Sequence, residues 1–374
     1  MFPKRINVPL NQRLVSTTRY PFPLDTPTFL VFNNDFNKIL GDNPDLKMVY
    51  QEQFPFAHRA PVYFPQNDFV FVASNQFVPA WREGTDSKAV IISKLSRKPD
   101  GSWARHEVHT EVQMASGGIN HEDGILFCAQ GDLKNSGGLV HMEGDFPFRT
   151  RTLLNNYYGR PFNSIKDLVV ARDGSIWFTD PVYGHEQGIR PPPQLPNQVY
   201  RFDPKTGDVR VMADGFGRPS GICFSPYEKI CYISDTDFIH GDGKIDFTKP
   251  ATIYAYDIEE RRQSKWLTNR RVFAMADVGV PDGLKCDMAG NVYVACADGL
   301  SVWNPGGVLL GKVIIPGGLA NFCFGRRGEL FLPNGKKFWV VKISTSVKGA
   351  LLERMGIEVD QENREDDDDS EDSE

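Results

Sequence analysis

A short apolar run that follows a turn and ends in a small or polar residue recurs six times along the chain. The six copies are NDFVFVASN (67–75), EDGILFCAQ (122–130), DGSIWFTD (173–180), YEKICYISD (227–235), AGNVYVACAD (289–298) and RGELFLPN (327–334). Each run alternates little between apolar and polar positions, which is typical of strands buried on both faces. Their spacing of roughly 40 to 60 residues is that of a propeller blade with loop insertions. Because helical periodicity is scarce, the pattern predicts an all-β chain folded as a six-bladed β-propeller, with a β-sandwich or two small β domains as the alternative.

The hairpin within residues 161–184 shows the repeat most clearly. Its sequence contains an apolar strand at 168–170, a tight turn at Arg172-Asp173-Gly174 and a second strand at 175–179. Glycine tolerates the positive φ of such a turn, and Pro181 ends the hydrogen-bonded ladder. Polar residues lie before the first strand and after the second. The hairpin therefore presents polar groups at its ends, where a rigid scaffold commonly carries its functional residues.

The pattern divides the chain into an irregular, Pro-rich segment at 1–27, a propeller domain at 28–345 and an acidic, disordered tail at 346–374. Residues 33–56 show little pattern and are expected to form a loop. A propeller must pair its last blade with an early strand or leave an edge exposed. TFLVF at 28–32 is predicted to complete the last blade.

Composition and charge narrow the classes of function. The chain has 374 residues, of which 40 % are apolar, enough for one large domain. Its formal net charge of −6 comes from the tail, because residues 358–374 carry eleven acids and one arginine. The rest of the chain carries a formal +4, which is too little for a surface that binds nucleic acid. The tail is expected to be a solubilising segment, with a partner-binding role as the alternative.

Neither a membrane partner nor a disulfide framework is predicted. The N-terminus has no apolar core of signal-peptide length, and no run of about 18 apolar residues occurs. The cysteines lie mostly inside apolar strand-like runs without a CxxC pair, at Cys128, Cys223, Cys231, Cys286, Cys296 and Cys323. Such residues are typical of buried free thiols in a reducing compartment. The sequence therefore predicts a cytoplasmic protein and leaves its oligomeric state open.

Polar residues concentrate in the loops that precede the first strand of each blade, here called the leading loops. In chain order they carry His58-Arg59, Asn120-His121, Lys166-Asp167, Ser220, Asp282 and Asn321. In a propeller such loops converge on one end of the central channel, so the fold would gather these side chains from distant parts of the chain. Ordinary polar turns are the alternative interpretation, since Asp-Gly is a common turn dipeptide.

Residues 185–197, HEQGIRPPPQLPN, interrupt the third repeat. The run is too rich in proline for a regular element. Because it follows the polar end of the third hairpin directly, we expect it to form a lid over the channel end that carries Lys166 and Asp282.

Several motifs occur in register over about residues 55–345, among them GRPFNSIKDLVV, DGSIWFTDPVYG, LPNQVYRFDPKTGDVRV, GRPSGICFSPYEKICYISDT and PDGLKCDMAGNVYVA. They resemble the gluconolactonase and regucalcin (senescence marker protein) family, and most of all its fungal lactonohydrolases. The resemblance implies a six-bladed propeller and a calcium-dependent lactonase. In that family a Glu, two Asn-type positions and an Asp hold an ion at the channel end. The ion polarises the lactone carbonyl and helps to generate hydroxide from water.

The positions that hold the ion in this family are largely replaced in this chain. HRAPVY places Arg59 where the family has the Glu of a HEAPVY-like pattern. NSIKD places Lys166, and PSG places Ser220, where the family has an Asn; only the Asp282 of PDG remains. Calcium takes about six to eight oxygen ligands, and two cations at the site would repel it. The sequence therefore predicts that the protein binds no metal and needs no cofactor.

Two hypotheses of function follow, and in both the partner is a small molecule. In the first, the protein is a metal-independent, lactonase-like hydrolase that acts on a small lactone or a polyketide-derived acid, as a tailoring enzyme of secondary metabolism. The two cations would bind an oxyanion, an aspartate would act as general base and a histidine would carry a proton. The residues assigned to catalysis are Asp282, Lys166, Asp167, Arg59 and His58, and those assigned to substrate binding are Ser220, His121, Asn120, Tyr183 and Phe162.

The role of Lys166 and the reaction class stay open at this point. Beside Arg59, Lys166 could have a lowered pKa and act as an amine base or a Schiff-base nucleophile in a cyclisation, isomerisation or retro-aldol step. Its charge could also merely fill the place of the ion. In the second hypothesis the propeller binds an aromatic acid without catalysis, in a cationic pocket rimmed by Tyr183, Phe162 and Trp177.

Overall fold

The computed structural model describes residues 4–9, 25–79 and 88–356. The chain begins with β1 (Lys4–Asn7), β2 (Thr28–Val31), helix α1 (Asp35–Leu40) and β3 (Asp45–Gln51). The next strands are β4 (Arg59–Phe64), β5 (Phe69–Ala73), β6 (Ile92–Arg97), β7 (Trp103–Val108), β8 (Ala115–His121), β9 (Gly124–Gly131), β10 (Ser136–Glu143), β11 (Thr150–Leu154), β12 (Asn156–Tyr157), β13 (Arg160–Pro161), β14 (Leu168–Val170) and β15 (Ile176–Asp180). They are followed by helix α2 (Tyr183–Glu186), β16 (Gln198–Phe202), β17 (Val209–Ala213), β18 (Pro219–Phe224), β19 (Ile230–Asp235), β20 (Thr252–Arg261) and β21 (Ser264–Met275). The last elements are β22 (Leu284–Cys286), β23 (Val292–Cys296), β24 (Gly299–Trp303), β25 (Leu309–Ile314), β26 (Cys323–Phe324), β27 (Glu329–Asn334), β28 (Lys337–Lys342) and helix α3 (Ala350–Arg354).

The strands form six antiparallel blades, so the predicted six-bladed β-propeller is confirmed. Blades 1 to 4 are the sheets β4–β7, β8–β11, β14–β17 and β18–β21; blade 5 contains β22–β25 and blade 6 contains β26–β28. The first strands of the blades lie side by side around a central channel, and β26 against β4 closes the ring. The six apolar runs are the second strands, and β5, β9, β15 and β23 are buried at every position. Their lack of alternation reflects burial between neighbouring blades.

The prediction that residues 28–32 complete the last blade is wrong. β2 pairs with β25 at the outer edge of blade 5, and β1 pairs in parallel with β2. Blade 6 is completed by β3, which pairs with β28. Residues 33–56, expected to be a loop, therefore contain the strand that closes the ring as well as α1.

Burial explains why the apolar pattern favours β2 over β3 as the strand that completes blade 6. β2 is buried at all four positions because β1 covers its outer side. Its apolar sequence therefore resembles that of an inner strand. β3 is the outer strand of its blade, and only Leu46 is buried in it. A strand with one exposed edge and few buried side chains leaves a weak apolar pattern.

In blades 3 and 4 the aspartate that ends the second strand holds that blade's own leading loop. Asp180 accepts the backbone N–H groups of Asn163 and Ser164 at 2.9 and 2.8 Å. Asp235 accepts those of Gly217 and Arg218 in the same way, also at 2.9 and 2.8 Å. The aspartates that end these two strands therefore fix the loops that carry Lys166 and Ser220.

The folded part extends beyond the predicted boundary at residue 345. Helix α3 buries Leu352 against the propeller, and Arg354 forms a salt bridge with Glu228 at 3.1 Å. Residues 357–374, most of the predicted tail, lie outside the described residues, as do residues 10–24 of the predicted irregular N-terminus. Within the described ranges no helix is long and apolar enough to cross a membrane.

Candidate functional site

The leading loops of blades 1, 4 and 5 meet at one end of the channel. Arg59 donates through Nη2 to Oδ2 of Asp282 at 2.8 Å and through Nη1 to Oδ1 at 3.2 Å. Ser220 donates its hydroxyl to the same Oδ1 at 2.6 Å. The side chains of Arg59 and Asp282 are 17 % and 15 % exposed, so solvent reaches them. These three residues and the neighbouring Lys166 are called the channel cluster below.

Backbone irregularities aim two of these side chains into the channel. The pairing register shifts between Arg59 and Val62 in blade 1 and between Pro219 and Ile222 in blade 4. Such bulges turn a side chain out of the regular alternation and are common beside active sites. Close approach adds a second constraint, since a Cβ at Gly221 would lie 2.2 Å from the carbonyl oxygen of Asp282.

Asp282 is held as a carboxylate. Burial alone would raise its pKa, but Arg59, Lys166 and the hydrogen bonds from Arg59 and Ser220 outweigh burial and hold the pKa well below its usual range. A carboxylate with so low a proton affinity is a poor general base. Asp282 therefore orients Arg59 and Ser220 rather than accepting a proton, which alters the role predicted for it.

Lys166 is a buried lysine without a counter-ion. It is 6 % exposed, and its Nζ makes no hydrogen bond or salt bridge with any residue that the structure describes. The amine lies 4.5 Å from the ring centroid of Tyr183. Burial and then the charge of Arg59 lower the pKa of Lys166 to about 7, against the opposing effects of Asp282 and Asp167. A substantial fraction of the amine is therefore neutral at neutral pH.

The insertion that follows blade 3's second strand lies at this channel end, as a lid would. Tyr183 in α2 faces Lys166, and its hydroxyl contacts the hydroxyl of Thr236 at 2.6 Å. Gln187 reaches blade 1, where its side chain accepts a hydrogen bond from Gln76 at 2.8 Å. The lid segment, defined here as residues 183–197, thus contacts elements on both sides of its own blade.

Two arginines tie the lid segment down. Arg190 donates to four backbone carbonyl groups, those of Phe162, Asn163, Asp132 and Asn135, at 2.6 to 3.0 Å. Arg218 pairs with Glu186 of α2 and also with Asp237. The sequence does not predict either residue as part of the site, because Arg190 stands in a Pro-rich insertion and Arg218 in a loop, where charged side chains are usually exposed. No local pattern in the sequence marks these two arginines as buried.

His58 lies beside the channel cluster. It is half-buried, and burial followed by the charge of Arg59 lowers its pKa to about 3. The imidazole is therefore neutral at working pH, and its low basicity makes it a weak proton acceptor. It remains able to donate or accept a hydrogen bond.

Asp167 lies near the channel cluster, close enough for the charges of Arg59 and Asp282 to act on it. It is 3 % exposed, and neither carboxyl oxygen accepts a hydrogen bond within the described residues. It packs so closely on blade 2 that a Cβ at Gly117 would lie 2.6 Å from Oδ1. Burial raises its pKa, so that the protonated acid is favoured more than in water.

Two predicted members of the site lie elsewhere. Asn120 and His121 end β8 rather than preceding it, and the Asn120 amide donates to the carbonyl of Tyr63 near the far end of β4. They belong to the opposite end of the channel from Arg59, which begins β4. The small and polar residues of SGGINH predict a loop, whereas this run belongs to β8, the first strand of blade 2.

Phe162 is a core residue and not part of a pocket rim. It is 1 % exposed and packs edge-on against Phe178 and Tyr200. Trp177 is likewise fully buried, with its ring against Phe224. Of the aromatic residues predicted to line the pocket, Tyr183 alone contacts the channel cluster.

A metal ion does not fit the channel cluster. Asp282 is the only carboxylate in it, and Arg59 and Ser220 already occupy both of its oxygens. Two basic side chains complete the cluster, whereas a hard divalent cation requires several oxygen ligands. In the described part of the chain, the one group of side chains close enough to share an ion is His121, Glu122 and His141, at the opposite channel end.

Comparison with known proteins gives one family. The family model "SMP-30/Gluconolactonase/LRE-like region" matches residues 87–332. A lactonohydrolase of Aspergillus oryzae, oryL, is 30 % identical over 352 residues, covering 87 % of this chain and 76 % of that protein. A gluconolactonase of Zymomonas mobilis is 30 % identical over 238 residues, covering 61 % of this chain and 62 % of that protein.

Solved structures show the same fold. A gluconolactonase from Xanthomonas campestris has a TM-score of 0.65 at 24 % identity and covers 85 % of this chain and 95 % of its own. The calcium-binding protein regucalcin from Agrobacterium tumefaciens has a TM-score of 0.57 at 14 % identity, with 81 % and 95 % covered.

Proposed function

Because the chain belongs to the SMP-30/Gluconolactonase/LRE-like family, we propose that it is a lactone hydrolase that works without a metal ion. The relatives that support hydrolysis are named lactonohydrolase and gluconolactonase. The observation that carries metal independence is the occupation of both Asp282 oxygens by Arg59 and Ser220, with Lys166 beside them. In this proposal the two basic groups take over the role of the ion that the resemblance to this family implies.

In this mechanism Lys166 transfers the protons and Arg59 stabilises the oxyanion. The neutral amine of Lys166 accepts a proton from a water molecule as the water attacks the lactone carbonyl carbon. The guanidinium of Arg59, fixed by Asp282, stabilises the oxyanion that forms on the carbonyl oxygen. When the ring C–O bond breaks, the ammonium of Lys166 returns its proton to the leaving alkoxide. One water is consumed, and the product is a hydroxy acid.

The other side chains of the site position Lys166, Arg59 and the substrate. Asp282 and Ser220 hold Arg59 in place, Tyr183 packs on the Lys166 amine, and neutral His58 offers a hydrogen bond to the substrate. A cationic site suits a lactone whose product is an acid, and we propose a small or polyketide-derived lactone and a tailoring role in secondary metabolism. The six buried, unpaired cysteines support a cytoplasmic location.

The test is hydrolysis of aldonolactones, aromatic lactones and polyketide-type lactones, followed by acid release with and without a chelator. We expect turnover that the chelator leaves unchanged. Lys166→Met should lower kcat by about 10²-fold or more, the typical contribution of a general base. Lys47→Met is the control, because Lys47 lies on the outer strand of blade 6 with its side chain 72 % exposed.

Binding of calcium would contradict the proposal that the protein works without a metal ion. Calcium at 100 times its dissociation constant would stabilise a protein with a real site by about 2.7 kcal/mol, whereas we expect no change in melting temperature. Stoichiometric calcium in the purified protein, or activity lost to the chelator, would overturn metal independence. The triple variant R59E/K166N/S220N restores oxygen ligands and is expected to gain a calcium-dependent shift.

A further inference from the structure

Lys166 has a chemical capacity that lactone hydrolysis does not use. Lys166 is 6 % exposed, its Nζ has no hydrogen bond or salt bridge among the described residues, and the amine lies 4.5 Å from the ring centroid of Tyr183. We propose that Lys166 is a covalent amine nucleophile that condenses with the ketone or aldehyde carbon of an oxo acid or 1,3-dicarbonyl compound. The channel cluster is then an imine-forming site, and this activity stands independently of lactone hydrolysis.

The charges around Lys166 favour the free amine. From β4, Arg59 places a cation nearby, and its bidentate pair with Asp282 engages the carboxylate that would otherwise hold an ammonium. Asp167, the neighbour in sequence, has a raised pKa, and burial lowers the pKa of His58 so that it adds no charge. A lysine desolvated beside another cation is a recognised form of activated amine.

The condensation balances without any further reagent. The Nζ lone pair forms a C–N bond to the carbonyl carbon, and proton transfer from nitrogen to oxygen gives a carbinolamine. The C–O bond then breaks, the oxygen leaves as water with one proton from the amine and one from solvent, and a C=N⁺ iminium remains. The positive charge of the iminium lies against the Tyr183 ring and near Asp282.

Arg59 sets the class of carbonyl compound. A guanidinium has five N–H donors, of which Asp282 uses two. The others are available for a carboxylate, as in an oxo acid, or for the second oxygen of a 1,3-dicarbonyl compound. A simple ketone without such a group would lack this anchor and react more slowly.

Acetylacetone is the first probe, because it condenses with an unprotonated lysine to a stable enaminone that absorbs in the near ultraviolet. The wild-type protein should add one equivalent per chain, with a mass increase of one acetylacetone less one water. Adduct formation should be half-maximal near pH 7, where neutral amine is about a thousandfold more abundant than for an ordinary lysine. Peptide mapping should place the adduct on Lys166.

Lys166→Met should lose this adduct, whereas the control Lys47→Met, at an exposed lysine of β3, should retain it. Pyruvate with cyanoborohydride is the second probe and should give a secondary amine on Lys166, faster than methyl pyruvate, which lacks the carboxylate. Adducts spread over surface lysines, or Lys166→Met reacting at the wild-type rate, would overturn the proposal. Peptide mapping of the wild type decides the matter even if the variant fails to fold.

The failure of imine formation and the failure of lactone hydrolysis give different experimental results. Lactone turnover without an adduct leaves Lys166 as a general base and refutes the covalent role. An adduct without turnover of any lactone refutes hydrolysis and keeps the amine chemistry.

Discussion

At the residue scale, one carboxylate organises two cations at the channel end. Asp282 binds Arg59 so completely that it offers Lys166 no direct ion pair. The cost of burying the lysine is therefore not offset by a partner, and its pKa falls instead. A group kept at such a cost inside a cleft points to function more than to stability.

This cost predicts how stability depends on pH. The folded-state pKa of Lys166 is lowered to about 7, below the ordinary value of about 10.4 in the unfolded chain. Between these values the unfolded state binds one more proton than the folded state, so stability rises with pH by up to about 1.4 kcal/mol per unit. Below pH 7 both states are protonated, and the contribution is flat.

Urea unfolding of the wild type and of Lys166→Met from about pH 6 to about pH 10 isolates the contribution of Lys166 to stability, because this range covers most of the interval between its two pKa values. We expect the wild type to gain stability relative to the variant above pH 7. Other groups that titrate, such as Asp180 with a pKa raised by burial to about 7, occur in both proteins and cancel. A difference that stays constant with pH would contradict a lowered Lys166 pKa.

At the element scale, the lid segment is a bonded structure rather than a loose flap. Arg190 is buried and donates to four carbonyl groups, two in the β9–β10 turn of blade 2 and two in the leading loop of blade 3. Glu186 of α2 accepts Arg218 and the backbone N–H of Gly241 at 2.7 Å, which joins the lid to blade 4. Tyr183 is thereby fixed over Lys166.

Replacing Arg190 should consequently affect both stability and the site. Arg190→Met leaves four carbonyl groups without their donor, and we expect a loss of about 2 to 4 kcal/mol in the free energy of unfolding. KM should rise, because α2 loses its support. The matched control is Arg151→Met, an exposed arginine paired with Glu122, which should change stability by less than about 0.5 kcal/mol. Equal effects of the two substitutions would argue against an anchoring role.

At the scale of the whole molecule, an early strand closes the ring. β3 pairs with β28, and β2 extends blade 5 without taking part in closure. An open blade 6 would expose the β28 edge and the apolar side chains of the largest core cluster, such as Phe338 and Val341.

Truncations separate these two contributions. Removing residues 1–34 deletes β1 and β2, and we expect a folded but less stable protein. Removing residues 1–52 also deletes α1 and β3, and we expect insoluble or unfolded protein. Removal of residues 357–374 is the control and should leave the melting temperature unchanged. A chain without residues 1–52 that melts like the wild type would show that β3 does not close the ring.

The sequence by itself determined the architecture and part of the site. Buried second strands imprint an apolar run on every blade, and six such runs predict six blades regardless of loop length. The leading-loop motifs HRAPVY, NSIKD, PSG and PDG likewise predicted Arg59, Lys166, Ser220 and Asp282, and these residues meet at one channel end.

Only the tertiary structure decided the rest, because the information is not local. Which strand closes the ring depends on the edge it meets, and the outer strand β3 carries too few buried positions to be recognised. His121 and Asn120 were misplaced because sequence shows a polar run but not which end of a strand it occupies. The state of Lys166 follows from burial and from the pairing of Arg59 with Asp282, residues 223 positions apart in the chain.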